Sequence, residues 1–370
     1  MRLEMVEVSI LLPVYNRSQY IEKTLDSIIN QTFRDFEIIV IDDGSKDDCP
    51  SIIKRYAQKE KRIHDYYHSE NKGIALTRNE LIQKANGRYI AFIDSDDLWE
   101  PVKLERQISV LKEKENLVVW SEGLLIDEFD KDLDETFTRS LKATNKKKSG
   151  DLFNVLLKGN YILFSSILFK AKLIENFEFD HRYRLIDDYQ LIIYLASRCN
   201  FYFIDDPLVK YRTHGKNIIK SNFKILIHDV FRIYVNFYYK YNNSINQNMK
   251  WVINLIIIEI SAFFKQYRIS WMYIPKFFTA RLFNPLNFKV LILIYLKSNS
   301  LVNKVISNLK NNDKYFSKII IYYYNLFLYH LSLSKKLHIN QIKNQFDSKN
   351  LALLLGLYNI KINKKSLRSH

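Results

Sequence analysis

Short apolar runs alternate with amphipathic segments over the first 100 residues of the chain. The run at 89–93 is continuous, which is typical of a strand buried on both faces of a parallel sheet, and the segments between the runs have helical spacing. The predicted strands are residues 8–12, 37–41, 63–68 and 89–93, and the predicted helices are residues 19–30, 47–59 and 75–85. This βαβαβαβ order predicts an α/β fold with a mostly parallel sheet, right-handed crossovers and flanking helices.

The pattern changes after residue 100. Residues 117–120 predict another strand, and the polar, charge-rich stretch 127–149 predicts a mobile loop. Strand-like runs return at 161–169 and 201–204, on either side of a helical segment at 188–197. We therefore expect one α/β domain over residues 1–215.

The last part of the chain has a different character. From residue 223 to 241, apolar and aromatic residues fall at helical spacing, with basic and amide residues elsewhere on the helical wheel. The remainder is rich in Asn, Lys, Ile and Tyr, and Pro275 and Pro285 interrupt it. We expect residues 216–370 to form a basic, aromatic-rich α-helical domain.

The net charge of +16 combines two regions of opposite sign. Residues 216–370 contain 24 Lys and Arg against 4 Asp and Glu, whereas residues 1–215 contain 32 basic and 36 acidic residues. Basic residues beside aromatic ones favour an anionic membrane surface, and a soluble helical domain or an interface between copies of the chain are the alternatives. The basic residues 216–370 are also compatible with nucleic-acid binding, although the sequence contains no recognised nucleic-acid-binding motif.

The chain has two cysteines, Cys49 and Cys199, so no disulfide framework is predicted and a reducing compartment is expected. Glu4 and Glu7 in the first dozen residues argue against a secretion signal. No apolar run approaches the roughly 20 residues that span a bilayer. We expect a cytoplasmic protein that contacts the cytoplasmic face of the inner membrane peripherally.

The most informative motif follows the predicted strand 89–93, where Asp94, Asp96 and Asp97 lie within four residues. Clustered carboxylates repel one another and raise one another's pKa, so such a cluster usually needs a cation. Ligands of open α/β sheets bind beyond the carboxyl ends of the strands, and hard divalent cations keep positions open for substrate phosphates. The alternative is that Asp97 caps a helix with Pro101 in its first turn.

Two other strand ends carry polar or aromatic residues. The first predicted strand runs into Pro13, Val14, Tyr15 and Asn16, and the second into Asp42, Asp43, Gly44 and Ser45. An aromatic ring there can stack on a base, and a carboxylate can accept from an imide N–H or a ribose hydroxyl; a turn and a helix cap at Ser45 or Asp47 are the alternative. Arg78 is a candidate phosphate ligand, because the guanidinium matches phosphate geometry.

In their order and spacing, these motifs resemble the inverting family 2 glycosyltransferases of the GT-A fold, the nucleotide-diphospho-sugar transferase type. The resemblance covers roughly residues 6 to 214. The motifs that carry it are residues 13–16, 42–47, 71–73, 78–79, 94–97, 165–166, 187–190 and 211–215.

The resemblance implies roles for individual residues. Asp43 with the edge from Pro13 to Tyr15 would hold the base, Asp94 the ribose, and Asp96 a divalent metal, Mn²⁺ or Mg²⁺, that bridges the diphosphate. Asp188 would be the general base, although the family more often has Glu at the position of Asp187. The implied nucleotide-sugar-binding residues are Pro13, Tyr15, Asp43, Arg78, Asp94, Ser95, Asp187 and Arg212, and the implied metal residues are Asp96 and His214.

Two of these assignments have structural alternatives. His214 resembles a position that closes over the diphosphate, but it is equally a candidate for a hydrogen-bonded loop histidine. Asp187 and Asp188 together are also typical of the negatively charged first turn of a helix.

The resemblance implies a metal-dependent glycosyltransferase that moves a sugar from a nucleotide sugar, usually a UDP-sugar, to a hydroxyl of a glycan or lipid-linked acceptor. Lipopolysaccharide, O-antigen and capsule synthesis are the pathways implied. The alternatives are a nucleotidyltransferase with a similar sheet and a basic nucleic-acid-binding protein. The sequence leaves the sugar, the acceptor and the oligomeric state open.

Overall fold

The computed structural model describes residues 6–112, 114, 116–214, 223–241, 245 and 253. Residues 6–214 are built on one nine-stranded sheet with helices packed against it. The strands are β1 Val8–Val14, β2 Phe36–Asp42, β3 Ile63–Tyr67, β4 Tyr89–Phe92, β5 Leu98–Trp99, β6 Leu117–Ile126, β7 Asp132–Thr136, β8 Leu168–Lys170 and β9 Asn200–Arg212. The helices are α1 Ser18–Ile29, α2 Cys49–Lys59, α3 Ile74–Lys84, α4 Lys103–Leu111, α5 Phe137–Ser140, α6 Phe153–Leu156, α7 Asp187–Ala196 and α8 Phe223–Lys240.

The strand order is β3-β2-β1-β4-β8-β6-β9-β5, and β7 pairs with β6 at the side of this path. The first four strands are parallel, as the βαβ pattern predicted. Over the described residues, β6 and β9 are also parallel, whereas β8 runs antiparallel to both its neighbours and β5 and β7 are antiparallel as well. The α/β fold is confirmed, and the complete sheet is mixed.

The core lies between the sheet and its helices. Every residue of β1 is buried, because helices cover both faces of the central strands. On α1, Ile21, Leu25 and Ile28 are fully buried and lie on one face, as their helical spacing predicted. The periodicity therefore predicted the elements from β1 to β4 with shifts of a few residues at their ends, and it did not predict β5.

Two predictions for the middle of the chain were wrong in part. The stretch 127–149, predicted to be a loop, contains β7 and the short helix α5. The buried carboxylate of Glu122 fixes this segment, because it accepts hydrogen bonds from the backbone N–H and the hydroxyl of Thr138. The run 161–169, predicted as one strand, forms a 3₁₀ turn at Phe164–Ser166 before β8 begins.

The predicted helix over 223–241 is confirmed as α8. The Asp229 carboxylate of α8 accepts hydrogen bonds from the backbone N–H groups of Arg184 and Leu185, at 2.8 and 2.9 Å.

The chain divides into two compact units, one of Met1–Ile233 with Asn243–Met249 and one of Tyr234–Asn242 with Lys250–His370. The predicted domain boundary at 215/216 stays a prediction, because most of 216–370 lies outside the described residues. No helix in the described ranges is both long and apolar enough to cross a membrane.

Candidate active site

The carboxyl ends of β1, β2 and β4 meet at one edge of the sheet. Val14 pairs with Asp42, and the N–H of Ile93 donates to the carbonyl of Leu11. Tyr15, Asp43 and Asp94, which follow these strands, are therefore brought to the same edge because parallel strands end together. Tyr15 is 43% exposed there, which leaves its ring accessible for stacking. Pro13 lies one pair further inside, opposite Ile41.

The Asp43 carboxylate is held by three donors. Its Oδ1 accepts the backbone N–H of Lys72 at 2.8 Å, and its Oδ2 accepts the N–H of Gly73 at 2.9 Å. Nδ1 of His68 lies 2.7 Å from Oδ1, and Nε2 of the same ring lies 2.9 Å from Glu80. Lys72 and Gly73 of the motif 71–73 thus bind the Asp43 carboxylate through their backbone N–H groups.

A second group of charges joins β4 to α7. Arg78 of α3 donates from Nη2 to Asp94 at 2.9 Å and from Nη1 to Asp187 at 2.6 Å. Its guanidinium is buried and lies 4.3 Å from the ring centroid of Phe164. Burial by itself would lower the pKa of Arg78, but the neighbouring aspartates raise it. Arg78 is charged and paired with carboxylates, and its implied role as a nucleotide ligand stays a prediction.

Asp188 lies next to Asp187 in the first turn of α7. Burial raises the pKa of Asp188 to about 7; the charges of Asp187 and Asp94 act in the same direction, and that of Arg78 opposes them. Oδ1 of Asp188 accepts the N–H of Tyr189 at 2.8 Å. A carboxylate that titrates near neutral pH has the proton affinity suited to a general base.

Asp96 belongs to a third group. Its Oδ2 is 3.0 Å from Nε of Arg17 and 3.0 Å from Nε2 of His214. Burial tends to raise the pKa of Asp96, but the hydrogen bond from His214 and the charge of Arg17 hold the pKa below its ordinary value. His214 is therefore a hydrogen-bonded histidine in this arrangement, and its assignment to a metal stays a prediction.

The neighbouring carboxylate, Asp97, is hydrogen-bonded to other residues of the protein. The alternative that it caps a helix is wrong, because β5 follows it and α4 begins at Lys103. Asp97 accepts the hydroxyl of Ser165 at 2.5 Å and the N–H of Arg212 at 3.1 Å. Ser165 also accepts the N–H of Asp94 at 3.1 Å, so one hydroxyl connects two members of the acidic cluster.

Arg212 and Ser95 are buried beside the same turn. Nε of Arg212 donates to the carbonyl of Asp96 at 2.8 Å, and its guanidinium forms an ion pair with Asp130. The carbonyl of Ser95 accepts from the hydroxyl of Thr24 at 3.2 Å. Arg212 thus contacts the turn at 94–97, and Ser95, within that turn, contacts Thr24 of α1. The implied contacts of Arg212 and Ser95 with the nucleotide sugar stay predictions.

The carboxylate of Asp96 fits a divalent metal that takes most of its other oxygen ligands from the substrate and from water. In the described part of the chain, Oδ1 of Asp96 accepts no hydrogen bond, and no group of three or more His, Cys, Asp or Glu side chains is arranged as a complete metal site. Mg²⁺ is commonly held by one or two carboxylates with phosphates and waters completing its octahedron. Asp96 would hold such a metal through one oxygen, and the metal assignment of Asp96 stays a prediction.

Two residues of the site were missed in the sequence. Arg17 follows the motif 13–16 directly but carries no signal of its own, because its partner Asp96 is 79 residues away. His68 ends the third predicted strand at the ligand-binding edge, and that position could have identified it.

The sheet, the helices around it and the carboxylates at its edge form a GT-A fold. The crystal structure of S. aureus TarS 1–349 with UDP-GlcNAc matches with a TM-score of 0.53 and 17% identity, over 80% of this chain and 83% of that chain. Residues 9–167 match the family described as Glycosyl transferase family 2. The chain belongs to this family.

Individual relatives of the chain are also described as glycosyltransferases. MJ1057 of Methanocaldococcus jannaschii, described as an uncharacterized glycosyltransferase, is 30% identical over 221 residues, which are 59% of this chain and 74% of that protein. TuaG of Bacillus subtilis, described as a candidate teichuronic acid biosynthesis glycosyltransferase, is 42% identical over 107 residues, which are 29% of this chain and 42% of TuaG. The chain spans less than half the length of several relatives. Family membership favours a glycosyltransferase over the nucleotidyltransferase and nucleic-acid-binding alternatives.

Proposed function

We propose that the protein is an inverting, metal-dependent glycosyltransferase that moves a sugar from a UDP-sugar to a hydroxyl of a glycan or lipid-linked acceptor in the synthesis of a surface polysaccharide. The observation that carries the proposal is the arrangement around Arg78. It links Asp94, at the predicted donor edge, to Asp187, and therefore holds Asp188 beside that edge. The site thus combines a strand-end carboxylate for the donor with a separate carboxylate for the acceptor.

Asp188 acts on the acceptor side. In its ionised form it takes the proton from the acceptor hydroxyl as that oxygen bonds to the anomeric carbon. The bond between the anomeric carbon and the diphosphate oxygen breaks on the opposite face, with inversion and with its electron pair leaving on the nucleoside diphosphate. Helix α7 is a rigid support for this carboxylate, since Leu191, Ile192 and Ile193 are fully buried.

Donor-side residues bind and orient the nucleotide sugar. Tyr15 offers an exposed ring for stacking, and Asp43 and Asp94 offer carboxylate oxygens to the base and the ribose. A divalent metal bound at Asp96 would supply positive charge to the diphosphate as it leaves. Arg17, hydrogen-bonded to Asp96, adds positive charge at the same place, and His214 forms a second hydrogen bond with this carboxylate.

The comparisons support a UDP-sugar and a polysaccharide product. TarS was crystallised with UDP-GlcNAc, and TuaG is described in terms of teichuronic acid biosynthesis. Lipopolysaccharide, O-antigen and capsule are further products of the same class. The excess of positive charge over residues 216–370 is consistent with peripheral contact with an anionic membrane that carries a lipid-linked acceptor.

The test is calorimetric binding of UDP, GDP, CDP and dTDP, with and without Mn²⁺, to the wild type and Asp96→Asn. Asp206→Asn is the matched control, because that carboxylate forms an exposed ion pair with Arg106. We expect Mn²⁺-dependent binding of UDP that Asp96→Asn loses and Asp206→Asn keeps. Absence of binding of all four nucleotides in both conditions would overturn the donor site, and equal binding by Asp96→Asn at limiting Mn²⁺ would remove its role as metal ligand.

A further inference from the structure

His68 is a buried histidine with a carboxylate at each ring nitrogen. Its side chain is 5% exposed, Nδ1 lies 2.7 Å from Oδ1 of Asp43, and Nε2 lies 2.9 Å from Oε2 of Glu80. The backbone N–H of His68 donates to the carbonyl of Asp42 at 2.9 Å, which fixes the histidine against the end of β2. The ring therefore connects the end of β2 with α3.

These contacts determine the protonation state of the ring. An ionised carboxylate only accepts hydrogen bonds, whereas a neutral imidazole has one N–H and one acceptor nitrogen. Asp43 is ionised because it also accepts two backbone N–H groups. Glu80 is ionised because its side chain is partly exposed and Nζ of Lys84 lies 3.5 Å from its Oε1. Two carboxylate acceptors require an N–H at both ring nitrogens, which is the imidazolium form.

The same contacts limit the number of further hydrogen bonds that Asp43 can accept. Oδ1 is occupied by His68 and Lys72, and Oδ2 already accepts from Gly73. A carboxylate oxygen has two lone-pair sites, so Oδ2 can take one further donor. The direction of that site is set by the three bonds that hold the carboxylate, of which the bond from His68 is the only one from a side chain among the described residues.

We propose that His68 is a doubly protonated positioning residue that fixes the Asp43 carboxylate in the orientation in which it accepts a hydrogen bond from the base of the nucleotide. This inference rests on the proposed function for the role of Asp43, and on geometry alone for the protonation state. A ring that lacked either proton would turn a nitrogen lone pair towards one of the two carboxylates, and that contact would no longer hold Asp43 in place. The titratable groups around the ring are Asp43 at the end of β2, Glu80 on α3 and, beyond Glu80, Lys84.

The first measurement is NMR of protein labelled with ¹⁵N-histidine, with the His68 ring assigned by its loss in His68→Gln. We expect both ring nitrogens of His68 to show imidazolium shifts at pH 7.5 in the full-length protein without nucleotide. His64, whose side chain is 48% exposed, serves as the control ring. A neutral-imidazole pattern for His68 at this pH would overturn the proposal, whether or not the protein binds a nucleotide.

The second measurement is the affinity for UDP at pH 7.5. We expect about a tenfold loss for His68→Phe, a smaller loss for His68→Gln, which keeps one donor, and none for His64→Gln. Glu80→Gln removes the carboxylate that holds the other ring nitrogen, so it should also bind UDP more weakly than His64→Gln. UDP affinity equal to that of the wild type in both His68→Phe and Glu80→Gln would contradict the positioning role. Failure of the wild type to bind UDP would instead count against the proposed function, and the NMR result would still decide the state of His68.

Discussion

Nη1 of Arg78 donates a 2.6 Å hydrogen bond to Oδ2 of Asp187, across 109 residues of sequence. Nη2 of the same guanidinium donates to Asp94. A planar guanidinium with two carboxylates fixes their separation, so Arg78 sets the distance between the end of β4 and the start of α7. In the proposed mechanism, that is the distance between the donor and the base Asp188.

Arg78→Lys should lower the turnover of sugar transfer by about 10- to 100-fold, because an ammonium cannot hold both carboxylates in one plane and small displacements at a reacting centre are costly. The melting temperature should change little, since the charge is kept. Steady-state kinetics with a UDP-sugar would measure the effect. Arg62→Lys, which alters the pair with Glu60, is the control, and turnover of Arg78→Lys equal to that of the control would contradict the role of Arg78.

The rate of transfer should depend on the ionisation of Asp188. Because the pKa of this group is raised to about 7, the base is half protonated near neutral pH, and turnover should rise as the pH passes from about 6 to about 8. Asp188→Asn should abolish transfer while leaving UDP affinity largely intact. Turnover and calorimetric binding measured across this range would check both statements, and near-normal turnover of Asp188→Asn would remove Asp188 as the base.

Asp188 should also affect stability in a pH-dependent way. Between its unfolded pKa of about 3.9 and its folded pKa of about 7, the folded state holds the proton that the unfolded state has lost, so stability falls as the pH rises. Asp188→Asn removes this effect and should be more stable than the wild type at pH 8 by on the order of 2 kcal/mol, with little difference at pH 3.5. Urea unfolding at the two pH values would measure it. An equal difference at both values would show that ionisation is not the cause.

Lys103 is a second buried titratable group with a predictable effect on stability. Its side chain is fully buried, with Nζ 2.7 Å from Gln107 and 3.9 Å from the ring centroid of Trp99, and burial lowers its pKa well below the ordinary value. The unfolded state therefore binds a proton that the folded state lacks, and stability should rise with pH towards the unfolded pKa of about 10.4.

Lys103→Met removes this dependence. The free energy of unfolding of the variant relative to the wild type should fall between pH 6 and pH 9, with a slope of up to roughly 1.4 kcal/mol per pH unit. The exposed Lys59→Met is the matched control and should show no such slope. Parallel stability curves for the wild type and Lys103→Met would indicate that Lys103 remains charged in the folded protein.

Gly44 lies in the turn between β2 and α2, with a φ of +72°. A Cβ at this position would lie 2.5 Å from the carbonyl carbon of Glu70, so Gly44→Ala adds a backbone clash to the strain of a positive φ. Gly150 has a φ of +81° but meets only the flexible end of Lys147 at 3.4 Å. Gly44→Ala should therefore destabilise the protein by about 1–3 kcal/mol more than Gly150→Ala, as measured by urea unfolding, and equal losses would contradict the clash.

The elements from β1 to β4 follow from local sequence pattern. Apolar runs predicted β1, β2 and β4, and helical spacing predicted the helices between them, because the face that each element buries is set by neighbouring residues. β3 was predicted as well, although most of its residues are not buried. The acidic cluster at 94–97 was recognised for the same reason, since a carboxylate at the end of a buried strand lies at the ligand-binding edge. β5, β7 and the 3₁₀ turn were not predicted, because they are short and are fixed by distant partners.

The sequence by itself determined the α/β fold of the first half, the place of the site and the residue types that line it, because strand and helix periodicity are properties of neighbouring residues. The tertiary structure decided which of those residues contact one another. It pairs Asp96 with Arg17 and His214, Asp94 with Arg78, and Asp43 with His68. These partners are separated by 16 to 118 residues, so they come within hydrogen-bonding distance only when the chain folds into the sheet and its helices.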